Sequence, residues 1–76
     1  MQRLKTMNKQ ELSVSLRGFC GRDLITINQI SEFIGADRGT VRRNFLQGLD
    51  YLPVGKKKLY HVNDVAKAIN ERRQYD

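Results

Sequence analysis

The sequence predicts a single small α+β domain, mainly α, in which four short helices accompany one two-stranded hairpin. Three observations lead there. Two capped segments with helical apolar spacing, within residues 26–49, stand back to back with Gly35 between them. The stretch "LDYLPVGKKKLYHV" carries strand-type residues on both sides of a glycine. Helical patterns over 9–18 and 63–73 flank the whole. Seventy-six residues leave room for one domain, and a chain of this order buries only about 60% of its unfolded surface, so its core must be small.

Taken in order, residues 1–7 read as a flexible, basic lead-in. "NKQE" is then a capping box, in which Asn8 accepts from the Glu11 N–H and Glu11 reaches back. Leu12, Leu16 and Phe19 follow at helical spacing, predicting a helix over 9–18 that Gly18 and Gly21 close. Thr26 with Gln29 repeats the capping-box signature, and Ile27, Ile30, Phe33 and Ile34 make one apolar face over 27–34. Gly35 suits the left-handed residue that ends such a helix. Asp37 caps the next, over 38–48, whose inner side is Val41, Phe45, Gly48 and Leu49. Thr40, Arg43 and Gln47 then project from the opposite side, with Arg42 and Asn44 on the flanks. Two short helices joined through a glycine turn form a helix-turn-helix over 26–49.

Leu52, Val54, Leu59, Tyr60 and Val62 predict a hairpin over 52–62, with Pro53 confining the first strand to an edge. Gly55 makes the reversal, and Lys56, Lys57 and Lys58 sit at the tip. Such lysines also discourage edge-to-edge aggregation. "NDVAKAINERR" is a closing helix over 63–73, capped by Asn63 or its neighbour, with Val65, Ala66 and Ile69 inward.

Composition excludes several functions. One cysteine, Cys20, and one histidine, His61, supply neither an internal disulfide nor the ligands of a structural zinc site. Carboxylates are scattered singly, and no glycine run ends in the Gly-Lys-Ser/Thr of a phosphate loop. Neither an enzyme nor a bound cofactor is expected. No apolar run approaches the roughly 20 residues of a membrane span, and the N-terminus has no signal-type stretch. The expectation is a soluble, cytoplasmic protein with no membrane contact.

The net charge is +6, and its placement is the stronger signal. Between residues 38 and 58 six bases face a single acid, Asp50, while the rest of the chain holds eight bases and seven acids. Segregation of this kind points to a polyanionic partner.

With these residues in view, "TINQISEFIGADRGTVRR" followed by "YLPVGKKKLYHVNDVAKAI" resembles the winged-helix DNA-binding domain of phage and transposon excisionases and of the MerR superfamily. The residues that carry the likeness are Thr26, Gly35, Asp37, Thr40-Val41-Arg42, Tyr60 and Asp64-Val65, and it spans roughly 24–70. The resemblance implies a winged helix-turn-helix with an added N-terminal helix and a two-stranded basic wing. It also implies double-stranded DNA as ligand, the second helix in the major groove, and the wing on the adjacent groove or backbone. MerR-type activators continue into a long dimerising helix and an effector domain absent from these residues, so sensing of a metal or drug is not expected. The partners implied besides DNA are an integrase or recombinase, or RNA polymerase, with self-association on DNA. The role implied is that of a recombination directionality factor or a small transcription regulator in a bacterial cell, nucleoid-associated or phage-encoded.

On DNA the candidate residues divide by task. Arg43, Thr40 and Gln47 are placed for base edges, arginine matching guanine and glutamine matching adenine. Arg38 and Arg42 flank them and suit phosphates, and Gly39 allows close approach of backbone N–H groups to a phosphate. Lys56, Lys57 and Lys58 meet backbone or minor groove, and Tyr60 either donates to a phosphate or packs in the core. The N-terminal helix either covers the core or contacts another protein. The rival from another class is a protein-interaction module whose lysine tip binds an acidic partner. RNA is disfavoured, because paired stacking aromatics are missing.

Overall fold

Side-chain caps set where three of the helices begin. In the computed structural model, which describes residues 8–72, Asn8 Oδ1 accepts from the Glu11 N–H at 2.7 Å and Glu11 Oε1 accepts from the Asn8 N–H at 3.0 Å. Helix α1 follows over Lys9–Cys20, passing through Gly18 and closing at Gly21, two residues beyond the expected end. Leu12 and Leu16 are fully buried, but Phe19 is 56% exposed, contrary to its helical spacing. Past Leu16 the half-buried Cys20 makes the contact of α1 with the core, and Phe19 packs sideways on half-buried Phe33, ring centroids 5.5 Å apart.

A short strand, β1 (Leu24–Ile25), comes next and was not foreseen. The second capping box then opens α2 (Ile27–Ile34): Thr26 Oγ1 accepts from the Gln29 N–H, and Gln29 Oε1 accepts from the Thr26 N–H. Gly35, at φ +85°, takes the left-handed conformation that turns the chain toward α3 (Arg38–Val41). Asp37 caps α3, accepting from both the N–H and the hydroxyl of Thr40.

Beyond Val41 the helix departs from the expected α geometry. Arg42–Leu46 form a π-helical turn, and Gln47 is already extended at φ −64°, ψ 123°. The helix therefore stops at Leu46 rather than residue 48, and Gln47 is not on it. The widened turn also changes the core. At about 100° per residue an α-helix would hold Phe45 near Val41 and turn Leu46 outward, yet Leu46 is 4% exposed and Phe45 only half-buried. A π turn closes i to i+5, which aligns Leu46 with Val41.

Strands β2 (Leu52–Val54) and β3 (Lys57–His61) form the hairpin, Leu52 opposite Leu59 and Val54 opposite Lys57. On the other side of β3, Leu24 pairs with His61 and Ile25 with Tyr60, giving an antiparallel sheet in the order β1-β3-β2. Three strands replace the expected two. Helix α4 (Val62–Arg72) begins directly after β3, one residue early, with His61 Nδ1 accepting from the Asn63 N–H at 3.1 Å. The lead-in expected over 1–7 and the helix end expected at residue 73 lie outside the described residues.

The molecule is mainly helical with one small sheet, and all its elements but β2 meet in a common core. Leu12, Leu16, Ile25, Ile30, Val41, Val62, Val65 and Ala66 are fully buried there, with Leu46, Tyr60 and Ile69 nearly so. At about 1.5–3 kcal/mol for each fully buried aliphatic side chain, this cluster is the main source of stability. Phe45, Ile34 and Leu49, expected inside, pack against its edge. Cys20 is half-buried, and burial, with the Glu32 charge second, raises its thiol above the ordinary range.

Candidate nucleic-acid interface

The start of α2, the outer side of α3 and the hairpin tip enclose a groove of about 380 Å³. Arg38 lines it from α3 and Arg42 from the start of the π turn, Lys56, Lys57 and Lys58 from the hairpin, and Thr26, Ile27 and Asn28 from the start of α2. Five cationic side chains thus face one concavity, and no carboxylate lines it. Among the described residues none of the five is paired with an acid; the salt bridge seen there joins Arg17 to Asp23, on another part of the surface.

Local contacts orient two of the cations. Arg38 donates from Nη1 to Asn28 Oδ1 at 3.3 Å, across the turn between α2 and α3. Lys58 places its ammonium 4.9 Å from the centre of the Tyr51 ring, which lies 6.0 Å from the Tyr60 ring. An ammonium over an aromatic face is held by the ring quadrupole. Lys58 is directed by packing rather than by an opposing charge, so its charge stays available. Asn28 and Tyr51 have no sequence signal as site residues, because both contacts join separate elements.

The other expected site residues fall elsewhere. Tyr60 is 7% exposed and packs within the core while reaching the groove wall. Arg43 is exposed but does not line the groove. A Cβ built on Gly39 would lie 3.2 Å from Asp37 Oδ2 and 3.3 Å from Arg43 Nη1. Gly39 therefore gives room to the Asp37 cap and the Arg43 guanidinium together. Thr40 is half-buried, and its hydroxyl donates to Asp37 Oδ1 at 2.6 Å. These two Thr40 hydrogen bonds, with a further contribution from Arg43, hold the Asp37 carboxyl below its ordinary range. Gln47 is exposed beyond the helix end. The outward side expected of Thr40, Arg43 and Gln47 thus does not hold together: Gln47 has left the helix and Thr40 and Arg43 gather around Asp37, while the flanking Arg38 and Arg42 line the groove with the lysines.

Asn44 accepts from Arg72 Nη2 at 3.1 Å, tying the π turn to the last turn of α4. No group of three or more metal-ligating side chains occurs among the described residues. No helix among them is long and apolar enough to cross a membrane. Comparison of the chain with protein-family models, with curated proteins and with solved structures finds no match.

Proposed function

We propose that the chain is a non-catalytic, sequence-specific binder of double-stranded DNA that works as a winged helix-turn-helix. In this reading α2 and α3 are the helix-turn-helix, and β2 with β3 is the wing. The carrying observation is the groove lined by Arg38, Arg42, Lys56, Lys57 and Lys58 with no carboxylate among its walls. A concave, unneutralised cationic surface attracts a polyanion, and releasing the counterions of that polyanion drives binding. Arg38, Arg42 and the wing lysines hold phosphates of the strand that passes between α3 and the wing. Arg43, exposed on the π turn that follows α3, reaches base edges in the major groove. A module this size buries roughly 600–1,000 Å² on DNA, so several copies act together on tandem or inverted sites. The role is recombination directionality beside an integrase, or transcription regulation, in the cytoplasm of a bacterial cell.

A mobility shift with random duplex across a salt series tests the reading. Five phosphate contacts give a slope of log affinity on log salt of about −4.5. Saturable binding with a slope near that value supports DNA. No shift at low salt rejects it in favour of the protein-interaction module.

A further inference from the structure

The chain places two large apolar residues side by side, Phe45 and Leu46, of which the structure buries one and leaves the other half-buried. In the register observed, Leu46 is the buried one, at 4% exposure, and the π turn over Arg42–Leu46 makes this possible. A π turn amounts to one extra residue in an α-helix. Closing it back to α geometry would bring Phe45 under Val41 and turn Leu46 out, at about 100° per residue. Phe45 already touches the core edge, and the exchange rotates the one short segment that carries both side chains. The Asn44–Arg72 hydrogen bond holds the present register from α4.

The two registers offer different faces. With Leu46 inside, the helix ends and Gln47 leaves it in extended conformation. With Phe45 inside, the helix continues to about residue 48, and Gln47 falls seven residues from Thr40, on the same side, since seven residues make about two turns. We propose that Leu46 is a positioning residue for recognition: by occupying the core it withholds Gln47 from the face that α3 presents to a duplex. This inference rests on the DNA reading for its consequence and on the π turn for its cause.

The experiment compares the full chain with Leu46→Ala and Phe45→Ala by backbone NMR without DNA, then by selection from randomised duplex. In the native chain and in Phe45→Ala the Gln47 Cα shift is that of an extended residue. In Leu46→Ala the chain stays folded, the Gln47 Cα shift moves from the extended to the helical side, and the backbone amide signals over 42–47 move with it. Selection then shows an added base preference in Leu46→Ala that Leu46→Ala/Gln47→Ala lacks. Unfolding of Leu46→Ala, or an unchanged amide pattern over 42–47, overturns the proposal, because Phe45 would then be no substitute. An amide change as expected, with no duplex bound by any of the chains, sinks the DNA reading and leaves the register exchange standing.

Discussion

Arg38 and Asn28 are joined across the turn between α2 and α3 by a hydrogen bond of 3.3 Å from guanidinium to side-chain carbonyl. The contact keeps Arg38 over the groove instead of leaving it to sweep through solvent. Asn28 bears no charge, so its loss changes orientation without changing the number of cations. Asn28→Ala is expected to weaken duplex binding about threefold to tenfold and to leave the salt slope as it was. Arg38→Ala makes the slope shallower by about one. A double-mutant cycle that shows the two losses to be additive would remove the positioning role from Asn28.

Lys56, Lys57 and Lys58 supply three of the five charges around the groove. Changing all three to Ala is expected to lower affinity for every duplex alike and to make the salt slope shallower by about three. Titrations at several salt concentrations measure this directly. An unaltered slope would mean that the hairpin tip never reaches a phosphate.

Arg42 and Arg43 are neighbours in sequence but belong to different surroundings, the groove for Arg42 and the Asp37 side of α3 for Arg43. Arg42→Ala should weaken binding evenly across sequences. Arg43→Ala should relax the preference at one base position, at a cost of about 1–3 kcal/mol. Selected-site profiles for both variants distinguish the two roles, and equal profiles would refute the division.

The cap on α3 makes part of the stability depend on pH. Asp37 accepts from the hydroxyl and the N–H of Thr40, which holds its carboxyl below the ordinary range in the folded chain. A group whose folded pKa is depressed stabilises above its unfolded value, about 3.9 for aspartate. That contribution disappears as pH falls through the folded pKa. Asp37→Asn keeps a capping side chain that cannot ionise. Thermal melts should therefore show a smaller loss below about pH 4 for Asp37→Asn than for the native chain. Identical acid profiles would show that the carboxylate charge contributes nothing.

Much of the fold was legible because its signals are local. Asn8 with Glu11 and Thr26 with Gln29 form the two capping boxes at the expected residues, and Asp37 caps α3. A capping bond spans three residues, so spacing alone reveals it. The hairpin was legible for the same reason, since Gly55 sits between two strand-type runs. Strand β1 was hidden because two residues make no alternating pattern; Leu24 and Ile25 are a strand only because His61 and Tyr60 lie beside them.

The candidate site divides along the same line. The order of residues alone determined where positive charge accumulates, at Arg38, Arg42, Arg43 and the three lysines, and which short segments would be helices. Charge and capping belong to neighbours along the chain, so they survive without knowledge of the fold. Tertiary packing decided which of those charges share a groove, and a widened turn decided where the helix stops. Burying Leu46 against Val41 ended the helix early and left Gln47 outside it. Helical periodicity ranks Phe45 above Leu46 for that place. The choice was made by the shape of the core that α1, α4 and the sheet build together, which no local pattern contains.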